Sequence, residues 1–91
     1  MTSSFSRFKV VIPNKVTKQI SNLPKEYQRA VYSSLKSLEE NPHAGKKLED
    51  QIQNNYSLRV GVYRIIYEIF KKELLILVVT VAHRKAVYRR K

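Results

Sequence analysis

Arg59 and Arg64 flank Gly61 in the segment YSLRVGVYRIIYEI, and that spacing decides what the two side chains can do together. If Gly61 and Val62 are the central residues of a two-residue turn, glycine first as a type II′ turn prefers, then Val60 faces Tyr63, Leu58 faces Ile65 and Tyr56 faces Tyr67. Arg59 then falls directly opposite Arg64. Like charges so placed destabilise a sheet by about 0.2–1 kcal/mol unless an anion binds between them, and two guanidinium forks at one spot make a phosphate clamp. The alternatives are that both side chains splay into water, or that Arg64 pairs with Glu68 on the same face.

A second cluster closes the chain. HRKAVYRRK, residues 83–91, has five Lys or Arg in nine positions and no acid. Tyr88 stands among these cations, able to stack on a base or to act as an acid or base. Residues 1–55 hold nine cations against five acids, whereas residues 56–91 hold nine against two. Positive charge is therefore concentrated in the C-terminal third. Such a cluster predicts binding to RNA or DNA that weakens steeply with salt, because each neutralised phosphate releases counterions.

The whole chain has 91 residues and a formal charge of +11, which excludes a multidomain enzyme and points to a polyanionic partner. At 43% hydrophobic residues it has enough apolar mass for a core, so it is not a disordered basic tail. Having no cysteine excludes zinc fingers and cysteine nucleophiles, and with only two histidines no metal site and no small-molecule cofactor is expected. The N-terminus, with Arg7 and Lys9 before Pro13, has no export signal and no membrane span, so a cytoplasmic location is expected.

The elements that must position these residues follow from periodicity. Phe5–Ile12 reads as a strand closed by Pro13. Asn14–Leu23 places Val16, Ile20 and Leu23 on one helical stripe. Lys25–Glu40 does the same with Tyr27, Val31, Leu35 and Leu38, with Pro24 suited to the first helical position. Gly45–Asn55 reads as a loop, and Tyr56–Ala82 as three antiparallel strands. The expectation is a single α+β domain over 1–91 in the order βααβββ, with two helices on one face of a four-stranded, mainly antiparallel sheet. The last strand, Leu74–Ala82, is expected to place Leu75, Leu77, Val79 and Val81 on the same face as Arg64. That face is then half apolar and half basic, a surface for a partner to cover.

This order, with YSLRVGVYRIIYEI followed by VVTVAHRKAVYRR, resembles the RelE branch of the RelE/ParE toxin superfamily of toxin–antitoxin modules over nearly the whole chain. The resemblance implies an mRNA interferase that enters the A site of the 70S ribosome, cuts the mRNA and is restrained by an acidic, RelB-like antitoxin. By motif position Arg64 resembles the arginine that binds the scissile phosphate, and Arg84 the arginine that assists the leaving group. Tyr88 resembles the tyrosine that activates the 2′-hydroxyl. Arg59 matches one of two family lysines, whereas Ser57 departs from the other.

Cleavage of RNA by its own 2′-hydroxyl needs a base, positive charge on the phosphorane and a proton for the departing 5′-oxygen. Arg59, Arg64 and Arg84 supply charge. A tyrosine titrating near about 10 becomes a base only when cations lower it, and Arg84, Lys85 and Arg89 have the right sign. Arginine is a poor proton donor. His83, an imidazole at the strand end, is a further acid or base candidate, although strand alternation aims His83 and Arg84 in opposite directions unless the chain bends. Lys85, Arg89 and Arg90 are candidate RNA contacts. Lys46 and Lys47 read as a loop edge able to touch RNA, and His43 as a surface residue. A ParE-like gyrase inhibitor and a non-catalytic RNA-binding module remain the competing readings.

Overall fold

Three prolines and two apolar stripes fix the helical half. The structure is a computed structural model that describes residues 7–48 and 55–85. The Pro13 carbonyl accepts the Val16 and Thr17 N–H groups at 2.9 and 3.0 Å, starting α1 (Asn14–Ser21), which buries Val16 and Ile20 completely. Pro24 stands one position earlier than the sequence suggested, as the cap of α2 (Lys25–Leu38) rather than its first residue, and accepts from Tyr27 and Gln28. Gln28 Nε2 donates to the carbonyls of Leu23 and Ser21, satisfying acceptors left open where α1 ends. Val31, Leu35 and Leu38 form the buried stripe of α2.

The sheet has five strands, not four: β1 (Lys9–Val11), β2 (Lys46–Lys47), β3 (Asn55–Val60), β4 (Tyr63–Phe70) and β5 (Leu75–His83), in the spatial order β1-β5-β4-β3-β2. β1 is shorter than the expected strand and runs parallel to β5, while the other pairs are antiparallel. The predicted loop 45–55 contains β2 and the first residue of β3. The hairpin register is the expected one, with Arg59 opposite Arg64 and Tyr56 opposite Tyr67. Gly61 has φ +62 and Val62 does not share the positive φ, as a type II′ turn requires. A Cβ on Gly61 would also lie 2.6 Å from the Tyr27 ring.

Both helices cover one face, where Tyr56, Val60, Ile65, Tyr67, Ile69, Ile76, Val78 and Val81 are buried. Val81 corrects the expectation that placed it beside Arg64. Ile66 pairs with Thr80 but Tyr67 pairs with Val78, so Val79 is an extra residue on β5 and the alternation flips there. Leu75 and Leu77 do lie on the Arg64 face, and Val79 is exposed. Beyond the end of β1, Gln19 Oε1 accepts the Val81 N–H at 2.8 Å and the Thr80 hydroxyl at 3.2 Å, capping the edge that β1 leaves open.

A 3₁₀ turn at Pro42–Ala44 leads into β2 and is locked by Tyr67. The Tyr67 hydroxyl donates to the Pro42 carbonyl at 2.8 Å and accepts the Gly45 N–H at 3.0 Å. Burial pushes this phenol's pKa up, and the Gly45 N–H opposes the rise. Gly45 leaves no room for a side chain, since a Cβ would meet the Tyr67 hydroxyl at 2.7 Å. His43 is exposed, but its ring meets Tyr56 edge-on at 5.5 Å.

Candidate nucleic-acid interface

Strand alternation sorts the candidates onto the face that the helices leave uncovered. Four register rows cross it. The first is Arg59, Arg64 and Ala82; the second is Lys46, Ser57, Ile66 and Thr80; the third is Asn55, Glu68, Leu77 and Val11; the fourth is Phe70, Leu75 and Lys9. Two cations occupy the first row, with the small Ala82 beside Arg64. Arg59 is exposed, whereas Arg64 is half-buried.

Arg64 does not pair with Glu68. Its Nη1 donates to Ser57 Oγ at 3.2 Å, and Ser57 is buried. The position where the resemblance expects a lysine thus holds a neutral acceptor that orients the neighbouring arginine. A lysine there would offer Arg64 no acceptor and add a like charge. The row still carries a cation, because Lys46 faces Ser57 across the strand pair. Lys47 faces Tyr56 and so belongs to the opposite face. Only Lys46 of that pair joins the arginines. The hydroxyl of Ser57 was the feature that sequence reading missed, although the hairpin register already put it diagonal to Arg64.

At the sheet end, the Arg84 N–H donates to the Val62 carbonyl at 2.8 Å, holding the chain after β5 against the hairpin turn that separates Arg59 from Arg64. Arg84 and Lys85 are exposed. His83 is not brought to the arginines. It pairs with Tyr63, its ring meets Tyr63 edge-on at 5.8 Å, and Tyr63 in turn meets Tyr27 at 4.9 Å, all on the helix side of the sheet. Its Nδ1 accepts the Lys85 N–H at 3.2 Å. Tyr88, Arg89 and Arg90 lie outside the described residues. Among the described residues no group of three His, Asp or Glu side chains could hold a metal ion, and no helix is long and apolar enough to cross a membrane.

Two helices on one face of a mixed five-stranded sheet, with an arginine pair on the other, define a RelE-type toxin fold. The archaeal RelE–RelB complex of Pyrococcus horikoshii OT3 is similar to this chain at a TM-score of 0.78 and 28% identity, covering 92% of this chain and 99% of that one. The RelBE toxin–antitoxin complex of Mycobacterium tuberculosis is similar at 0.77 and 25% identity, over 86% and 99%. The isolated Escherichia coli RelE toxin shares the fold at 0.71 and 18% identity, over 90% and 97%. No curated protein sequence matches the chain. The family model for the ParE toxin of type II toxin–antitoxin systems, parDE, matches residues 12–88. The chain therefore belongs to this family of toxins, within the RelE/ParE superfamily of type II toxin–antitoxin modules.

Proposed function

We propose that this toxin is a metal-independent, ribosome-dependent endoribonuclease that cuts translated mRNA in the A site and so stops translation. The observation that carries the reading is the arginine pair, set opposite one another on the uncovered face with Arg64 oriented by Ser57. A gyrase inhibitor acting through protein contact has no need of such a clamp.

In this reading the RNA 2′-oxygen attacks the adjacent phosphorus, the bond to the 5′-oxygen breaks, and a 2′,3′-cyclic phosphate remains. Arg59 and Arg64 hold the non-bridging oxygens and stabilise the charge that builds on the phosphorane. Arg84, tied to the hairpin turn, stabilises the departing oxygen as a cation rather than as an acid, because a guanidinium does not release its proton near neutral pH, and the 5′-oxygen takes its proton from water. Tyr88 takes the 2′-hydroxyl proton, and Lys46, Lys85, Arg89 and Arg90 contact flanking phosphates. His83 has no part in proton transfer here, since its ring lies on the helix side. The protein works in the cytoplasm on the 70S ribosome, and an acidic, RelB-like antitoxin restrains it by covering the half-apolar, half-basic face.

The match to the ParE family model favours a second reading, inhibition of DNA gyrase. Primer extension on a translated message separates the two. Wild-type expression leaves cuts within codons and Arg64→Ala leaves none; growth arrest with intact messages and DNA-damage signalling would favour the gyrase reading.

A further inference from the structure

The outer surface of α2 carries a second concentration of charge, separate from the arginine clamp. Lys25, Arg29, Tyr32 and Lys36 follow one another at spacings of four, three and four, which on an α-helix is one narrow stripe within an arc of about 60°. All four are exposed, and Tyr32 shows 42% of its surface to solvent. None of these side chains makes a hydrogen bond, ion pair or ring contact among the described residues. The acids placed to neutralise the stripe do not do so. Glu26 and Glu39, three residues from Arg29 and Lys36, form no ion pair, and Glu40, four residues beyond Lys36, is taken by Arg7 at 2.8 Å. Lys25 and Arg29 repel one another at their spacing, and Lys25 also stands at the helix start, where the dipole disfavours a cation. Helix stability alone selects against this pattern.

Tyr27 fixes where the stripe lies relative to the clamp. Its ring meets Tyr63 at 4.9 Å and lies 2.6 Å from where a Cβ on Gly61 would stand, so the start of α2 covers the turn between Arg59 and Arg64. From there the stripe runs about 16 Å at helix rise, on the far side of the sheet from the clamp. Apolar content decides the occupant. Tyr32 is the one large hydrophobic side chain exposed on α2, so the stripe has nothing to insert into a bilayer and no apolar centre for a protein interface. A row of unpaired cations on a straight, rigid element matches a row of phosphates. Single strands are held by several stacked aromatics, whereas helical RNA is recognised through its phosphates and 2′-hydroxyls, with which one tyrosine hydroxyl can hydrogen-bond. The clamp takes any phosphate and does not tell a message on the ribosome from a free one. Dependence on the ribosome therefore calls for a contact elsewhere on the toxin, with RNA that is not cut.

We propose that Lys25, Arg29, Tyr32 and Lys36 on the outer side of α2 form a docking surface for the backbone of helical ribosomal RNA. This deepens the ribosome-dependent reading and rests on it: the sheet face grips the message while the helix layer behind it holds the ribosome. The four residues bind and do not touch the reacting phosphate.

The test uses the full chain with two probes, a short blunt RNA duplex and a 2′-O-methylated uridine tract, read by fluorescence anisotropy, together with pelleting on 70S ribosomes. Lys25→Ser, Arg29→Ser and Lys36→Ser, combined in one variant, are expected to weaken duplex binding at least about tenfold and to flatten its log–log salt slope by about 2.7, at about 0.9 per phosphate contact. The same variant should be lost from the ribosome pellet, yet keep its affinity for the uridine tract and its melting temperature, since all three positions are exposed. A matched variant, Lys47→Ser with Lys71→Ser and Lys72→Ser, removes equal charge elsewhere and should leave duplex binding and pelleting nearly unchanged. Arg64→Ala should weaken the uridine tract and spare both the duplex and the pellet. Wild-type duplex affinity in the α2 variant overturns the inference and leaves the ribonuclease reading intact. Equal losses in the two triple variants overturn it in favour of diffuse charge, and loss of the duplex without loss from the pellet removes the ribosome as the partner. Unchanged uridine binding in Arg64→Ala would instead count against the clamp, while the α2 surface stands on its own duplex result.

Discussion

The two faces of this sheet are made by the same strands and obey opposite rules. On the helix side every second residue is apolar, Ile65, Tyr67, Ile76 and Val78 are fully buried, and the Tyr67 hydroxyl both donates and accepts. On the other side Arg59 stands opposite Arg64, so two like charges meet across the strand pair, with Ser57 as a neutral acceptor for Arg64. Packing accounts for the first face. The second is arranged against folding preference, which is what a surface shaped by an outside ligand shows.

Substitutions that separate the faces sharpen this contrast, and the largest effect belongs to the uncovered side. Arg64→Ala is expected to lower mRNA cleavage at least about a hundredfold, the scale of losing one preorganised donor to a transition-state oxyanion, while the melting temperature holds. Cleavage assays beside thermal unfolding check it, and unfolding of the variant would place Arg64 with the core residues instead. Ile65→Ala, one residue further along β4, should do the reverse. It leaves the clamp in place and destabilises the fold by about 2–5 kcal/mol, read from denaturant midpoints.

Tyr67→Phe removes one donor and one acceptor from the 3₁₀ turn and leaves the Gly45 N–H and the Pro42 carbonyl unpaired, a loss of about 1–3 kcal/mol. Its pH dependence is a separate signature. Because burial raises the folded phenol's pKa above the unfolded value, that group's contribution is complete below the unfolded pKa and is lost as pH rises through the folded one. Alkaline unfolding curves of the wild type should show this loss, and those of Tyr67→Phe should lack it. The smallest effect is at Leu74, a non-glycine residue at φ 53 in the β4–β5 turn. Leu74→Gly relieves that strain and is expected to stabilise the protein by up to about 1 kcal/mol without touching cleavage.

The contrast also explains what could be read in the sequence. The β3–β4 register was legible because Gly61 marks the turn and the alternation on either side of it is clean, so Arg59 and Arg64 could be paired from spacing alone. β2 was not, because Lys46-Lys47 has no strand-like residue, and it pairs only because Ser57 and Tyr56 present an open edge with Tyr67 anchoring the turn before it. The bulge at Val79 was hidden by the run LILVVTVA, whose residues suit either face, so nothing in it marks where alternation flips. In the candidate site, the arginines were legible from charge. The role of Ser57 was not, since a serine at an expected lysine position reads as a loss until the hydrogen bond to Arg64 is seen. Tyr88, Arg89 and Arg90 were singled out by the sequence and lie outside the described residues.

Lys46 and Lys47 give the most direct test, being adjacent in sequence, both exposed and on opposite faces. The measurement is the slope of log affinity for single-stranded RNA against log salt for Lys46→Ser and Lys47→Ser. Each phosphate contact removed reduces the slope's magnitude by about 0.7. Lys46→Ser is predicted to flatten the slope by that amount and Lys47→Ser to leave it unchanged. Equal flattening by both would show that RNA is held by diffuse charge, and the uncovered face would no longer be the binding surface.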